Sequence, residues 1–466
     1  MKVRDKMIIF CLAIAAGLLL FLLYRYFGSR MLGLTFPWNS FLFLENARYT
    51  DFFEINELVA NLNPYKSGSS YPPLALLVAL LFAKIIPGTG SVGADPASIQ
   101  AFRDISVVGK ATLYLFYAVV LVAIASVFWQ RIYSHNKNHT GDFFNEETRF
   151  AKLRKIFDRY LVYPATLCAV ALTAPVIYAF DRGNYLILCV LFLVLFAAFY
   201  NRNDWLAAIF LAIAACLKIY PVVLFLVFLV SRKWKPMFLG LSVGALITGL
   251  GMAVFKGNYI RNTGYFLKNV FNFSGGFGDN HSFYYRYATG FRNLIATPVL
   301  AVSDKIPEDF PVSQLTLIVS GIFLLLVIAV CFLDKRPWRQ ILCLSFFMIL
   351  FPTPSFFYNL SYLVAPILLF LCKEEREKYD GVYLAGLILL MVPKSYFYFM
   401  VAYTDGPGYT GIECFLNPFI MCVLVALSFI DAIAYRRRLR ATALAHRNVD
   451  LADIPEQSIE EAAVIG

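Results

Sequence analysis

The chain of 466 residues is 60% hydrophobic and only 15% charged, with a formal net charge of +11 at pH 7 and a mean hydropathy of +0.66. That balance excludes an ordinary soluble domain, and charges clustered between apolar runs indicate an all-α polytopic membrane protein. No alternating strands suggest a transmembrane barrel, and the basic clusters cap hydrophobic helices, which argues against nucleic acid as a partner.

In chain order, Met1–Lys6 precedes an apolar run from Met7 to Phe27. Arg25-Tyr26-Phe27 is no cleavage site, so this run reads as a retained first span. Further spans are expected at about 107–128, 161–180, 185–200, 205–217, 221–231 and 236–255. They continue at about 312–333, 340–351, 359–372, 381–399 and 415–435, about twelve in all. The run Pro72 to Ile86 is too short for a span and reads as a re-entrant or partly inserted helix.

Basic clusters at Lys2/Arg4/Lys6, Arg149 to Arg159, Arg232/Lys233/Lys235, Lys335/Arg336/Arg339, Lys373/Arg376/Lys378 and Arg436–Arg440 mark the cytoplasmic side. Both termini then face the cytoplasm. Residues 1–440 form one membrane domain, and 441–466 a cytoplasmic polar tail, disordered or a loose amphipathic helix. The nine cysteines show no metal-ligand spacing and mostly sit inside apolar runs, which argues against a disulfide framework or a zinc site.

The polar motifs fall on the outer side. Asp51 and Glu54 lie three apart in an aromatic setting, Tyr49, Phe52 and Phe53, and share a face if helical. A loop acid is ordinarily a solvated residue; apolar walls would give it the character of a general base. Asp181-Arg182-Gly183-Asn184 reads as a tight turn with an internal ion pair, or as a phosphate or sugar contact. Lys218 sits between two half-length apolar runs, far from any basic cluster, and favours an anion contact over snorkelling. The stretch Asn269 to Arg292 mixes eight Phe and Tyr rings with Asn280, His281, Ser282, Arg286 and Arg292. It fits an interfacial aromatic belt or a sugar-phosphate grip equally well. Short and Pro-broken helices beside these motifs suggest a pocket open to the outer side.

The ordered set Asp51, Tyr71-Pro72-Pro73-Leu74, Phe180-Asp181-Arg182-Gly183-Asn184, Leu217-Lys218-Ile219-Tyr220-Pro221, Asn280-His281-Ser282 and Pro352-Thr353-Pro354-Ser355 resembles glycosyltransferase family 87 of the GT-C superfold. The resemblance runs from about Arg48 to Phe370. It implies a GT-C-like bundle in the cell membrane with a non-cytoplasmic active-site loop. It also implies a polyprenyl-phosphate sugar donor, a lipid or glycan acceptor, and no cofactor, nucleotide sugar or essential metal. Asp51 matches the family's general base and Lys218 its lysine before the Pro-broken helix. Asn280 and Ser282 match its amide loop, with His281 where glutamine is common.

The mannosyltransferases of the family carry a histidine pair after the Pro-Ser turn, where this chain has Phe356-Phe357-Tyr358-Asn359; the sugar and acceptor stay open for that reason. The loop between Gln130 and Arg159 is longer than typical. The expected reaction is an inverting displacement with Asp51 as base. Lys218 then Arg182, Arg286 or Arg292 would face the leaving phosphate, and Glu54, Tyr71, Asp181 and Asn184 would line the substrate. The rival class is a transporter or flippase of a lipid-linked or anionic solute, against which stands the lack of an inverted repeat.

Overall fold

The computed structural model describes residues 3–38, 47–93, 95–139, 162–275 and 281–452, most of them helical. The chain opens with α1 (Val3–Met31), then three short helices: α2 (Thr50–Ala60), α3 (Pro73–Ile85) and α4 (Pro96–Ile105). A long helix follows, α5 (Val107–His139), then α6 (Val162–Ala171), α7 (Ala174–Arg182), α8 (Leu186–Phe199) and α9 (Asp204–Leu217). Pro221 opens a 3-10 turn (Tyr220–Leu224) before α10 (Phe225–Val230). Next come α11 (Trp234–Val254), α12 (Tyr259–Gly275), α13 (Phe291–Ser303), α14 (Val312–Leu333) and α15 (Pro337–Leu350). After a short 3-10 turn at Ser282–Tyr284, a longer one (Phe357–Leu363) leads into α16 (Val364–Cys372), followed by α17 (Asp380–Met391), a hairpin, and α18 (Glu413–Ala452).

Among the described residues, five helices are long and apolar enough to cross a membrane: Asp5–Met31, Val107–Arg131, Trp234–Val254, Val312–Leu333 and Glu413–Arg437. The pair Tyr163–Ala171 and Ala174–Arg182, bent by 64°, adds a sixth if counted as one span. In these five, only 22–33% of the most apolar stretch is buried. Leu12, Leu20, Leu246 and Leu325 stand exposed, as lipid-facing side chains do. The remaining apolar helices are 10–17 residues long. At 1.5 Å per residue, fourteen residues reach only about 21 Å, short of a ~30 Å hydrocarbon core. Several are instead wrapped in protein: in α8 Leu186, Ile187, Cys189, Val190 and Leu193 are buried, and α15 is buried almost throughout. Buried short helices inside a jacket of long ones make the core.

One element departs from the sequence reading. The run expected to span 381–399 stops as a helix at Met391. Beyond it lies an antiparallel hairpin, β1 (Tyr398–Tyr403) on β2 (Gly406–Gly411), with Tyr403 opposite Gly406. Aromatic and β-branched residues in β1 and the Thr404-Asp405-Gly406 turn override the apolar content that suggested a helix. The tail stays helical through Ala452, while 453–466 and the basic cluster Arg149 to Arg159 lie outside the described residues.

Three of the basic clusters meet at one end of the bundle. Arg339 is fully buried and pairs with Asp334 at 2.7 Å, Asp431 at 2.6 Å, and Glu377. Arg336 joins Asp334 and Glu377, and Lys373 binds Glu377 at 3.0 Å and Asp380 at 2.5 Å. The Lys6 ammonium donates to the carbonyls of Phe370 and Lys373, both at 2.9 Å. This network ties α1, α15, α16, α17 and α18 together: carboxylates match the buried Arg339, and backbone carbonyls take the buried Lys6 ammonium.

Candidate active site

Asp51 occupies the first turn of α2, where the exposed backbone N–H groups favour a carboxylate. Tyr49 caps that helix in the left-handed region (φ 61°), and its N–H donates to the Asp181 carbonyl at 2.6 Å. The capping residue of α7 is Gly183, also left-handed (φ 66°). A Cβ there would lie 2.8 Å from the Cβ of Phe52 and 3.3 Å from Tyr49 backbone atoms. The glycine is thus what lets the start of α2 rest on the end of α7. Gly183→Ala is expected to cost about 1–2 kcal/mol in backbone conformation alone and to push α2 away. A lower thermal midpoint together with slower turnover in detergent-purified protein would register this.

That contact brings the Asp-Arg-Gly-Asn turn to Asp51. Arg182 donates to Asp51 Oδ1 at 2.5 Å, and Asn184 Nδ2 donates to Oδ2 at 2.6 Å. The Asn184 amide is itself oriented, since its Oδ1 accepts the Leu186 N–H at 2.9 Å. The Tyr117 hydroxyl, 2.6 Å from both the Ala179 and Asn184 carbonyls, holds the turn from below. Asp51 keeps 9% of its surface exposed and Asn184 none. Asn184 therefore acts as a positioning residue for the carboxylate. Asp181 is also buried; its side chain faces Arg48 at 3.6 Å, and its backbone carbonyl accepts the Tyr49 N–H. Two hydrogen bonds leave lone pairs on the Asp51 carboxylate for a guest hydroxyl.

Lys218 lies where α9 ends and the chain turns extended before Pro221. Its ammonium stands 4.0 Å from the centre of the Tyr71 ring and within electrostatic reach of Asp51. Among the described residues no carboxylate comes within ion-pairing distance of it. Tyr358 joins the same group, within electrostatic reach of Asp51 and Arg182. In the sequence Tyr358 stands out only as a departure from a histidine pair.

The later motif is placed differently. Ser282 donates through its N–H (2.9 Å) and hydroxyl (2.5 Å) to Asp405 at the hairpin tip, with His281 Nε2 at 3.8 Å from that carboxylate. Arg286 donates to the Pro407 carbonyl, and Arg292 donates to the Tyr285 hydroxyl at 2.9 Å. These four residues bind the hairpin and its surrounding aromatic cluster; Asn280 lies outside the described residues. The segment still reaches the site wall, because Thr289 and Tyr287 pair with Ser355 and Phe357, next to Tyr358.

Glu54 stands one turn beyond Asp51 and stays accessible in a recess. Partial loss of water raises its carboxyl above the ordinary value, with Asp51's charge adding and Arg182 opposing. A raised folded-state value means that stability falls as pH climbs from the ordinary carboxylate range through the raised one. Glu54→Gln should therefore match the wild-type thermal midpoint at pH 4 and equal or exceed it at pH 7.5. A midpoint lowered only at pH 7.5 would reverse that sign. Among the described residues, no three His, Cys, Asp or Glu side chains gather as metal ligands would.

Fold and site together define a multi-pass α-helical membrane protein whose polar centre joins an acid held by an arginine and an amide to a nearby lysine. The chain belongs to glycosyltransferase family 87, whose model matches residues 70–353, and is accordingly a membrane glycosyltransferase. The matched range contains Tyr71, Asp181, Arg182, Asn184 and Lys218, while Asp51 and Glu54 precede it. A comparison with curated proteins found no match.

Proposed function

We propose that this protein transfers a hexose, mannose foremost, from a polyprenyl-phosphate sugar to a lipid or glycan acceptor, inverting the anomeric centre. The supporting observation is the Asp51 carboxylate held by Arg182 and Asn184 with the Lys218 ammonium close by. Asp51 accepts the proton of the acceptor hydroxyl as that oxygen bonds to the anomeric carbon. The bond from that carbon to the phosphate oxygen breaks, and its electron pair leaves with polyprenyl phosphate. Lys218 neutralises the growing charge on the phosphate, the usual task of a fixed cation in a water-poor site. Tyr71 and Tyr358 contribute faces against which a sugar ring packs. About twelve membrane passes, cytoplasmic termini and a site on the outer face of the cell membrane complete the reading.

The test is transfer in proteoliposomes supplied with radiolabelled polyprenyl-phosphate mannose or glucose, with nucleotide sugars as controls. A radiolabelled glycolipid of inverted configuration is expected from a polyprenyl donor alone. Product from the nucleotide sugars instead would overturn the donor assignment.

A further inference from the structure

A cavity of about 190 Å³ opens beside Glu54, outside the membrane-crossing helices. Two helices make it. From α2 come Thr50 and Glu54, four apart; from α4 come Pro96, Ile99, Gln100 and Arg103, at helical spacing along one face. Arg103 is buried, and its guanidinium donates to the Arg48 carbonyl at 2.9 Å, so the cavity wall also anchors the turn that launches Asp51. The α4 helix is set by Pro96 in its first turn and by Asp95, which accepts from Ser98 N–H at 2.9 Å.

The lining chooses its guest. A carboxylate, an amide and a hydroxyl offer both donors and acceptors, and Pro96 with Ile99 supplies an apolar patch. Polyols and sugar rings present that same mixture. A phosphate is disfavoured, because Glu54 faces the cavity and the Arg103 charge is met by Asp104 at 2.9 Å. The cavity has room for several waters, the scale of a headgroup and not of a long lipid chain.

We propose that the α2–α4 cavity seats the hydroxylated headgroup of the acceptor, with Glu54 and Gln100 hydrogen-bonding its hydroxyls one helical turn from Asp51. That the guest is the acceptor rests on the transferase reading; that the cavity takes a polyol does not. The donor phosphate belongs on the far side of Asp51, at Lys218. Of the lining residues, only Glu54 stands out in the sequence.

Two readouts decide it. Binding of radiolabelled octyl glycosides of mannose, glucose and galactose is measured on the purified full chain without donor. Gln100→Trp, which fills the cavity, is expected to weaken binding of the preferred probe about tenfold or more, and Glu54→Gln by a smaller factor. In transfer assays the same variants should raise the acceptor KM about tenfold while the donor KM stays within about twofold. The thermal midpoint verifies folding; if Gln100→Trp fails to fold, the double variant Gln100→Ala/Glu54→Gln replaces it. Unchanged probe binding and acceptor KM in a folded variant overturn the inference while the transferase reading stands. No saturable binding of any probe by wild type overturns it as well. Binding that depends on Gln100 in a protein that transfers no sugar supports the cavity and sinks the transferase reading.

Discussion

Asp51→Asn is expected to slow sugar transfer by about 10²–10⁴-fold, the range for losing a general base, in a protein that still folds. The replacement has the same shape, and its amide oxygen can take the place of Oδ1 opposite Arg182. Its NH₂ then meets Asn184 Nδ2, donor against donor, where the carboxylate accepted at 2.6 Å. Asn184 cannot turn over in response without giving up the Leu186 N–H. A penalty of about 1–3 kcal/mol follows for the unsatisfied contact, softened by the water that reaches Asp51. Turnover at saturating donor and acceptor, with the thermal midpoint alongside, separates the two effects. Activity within about tenfold of wild type would remove Asp51 from the base role and direct attention to Glu54.

How much of this could be read from residues alone follows from what is local. The Asp-Arg-Gly-Asn turn announces itself, because Gly183 in a left-handed cap needs no distant partner to be foreseen. Asp51 and Lys218 stand out because charges are costly in apolar surroundings. Tyr117 was invisible: it sits in an apolar run like any aromatic, and its capping of the Ala179 and Asn184 carbonyls exists only once α5 packs on α7. Arg103 was lost for the same reason, its partner at the Arg48 carbonyl being 55 residues away in sequence. Glu57 lies one turn from Glu54, yet is buried and accepts the Gly90 and Gly93 N–H groups at 2.7 and 3.1 Å. Composition cannot tell that loop clamp from its exposed neighbour. The number of membrane crossings is hard to read for a different reason. Apolar content marks where a helix lies, but a short helix jacketed by protein is as apolar as one jacketed by lipid.

Lys218→Met should lower kcat by about 10²–10³-fold, the scale of removing one fixed group that meets developing negative charge. The donor KM should rise far less, because the ground-state phosphate is already charged and the added charge appears only as the bond to the anomeric carbon breaks. Methionine keeps the length and apolar stem of the side chain, so its packing against Tyr71 persists while the attraction of cation for ring is lost. Stability should move the opposite way from activity. A lysine held among apolar helix ends costs free energy that methionine avoids, so the thermal midpoint should hold or rise. Lys218→Arg retains the charge but spreads it over a planar fork that the space above Tyr71 was not shaped for, and an intermediate rate is expected. The combination of slower turnover, little change in donor KM and undiminished stability distinguishes a cation acting on the leaving phosphate from one that merely holds the bundle together. Equal losses of stability and rate in Lys218→Met would assign it the structural part, and Arg182 would then be left as the cation facing the phosphate.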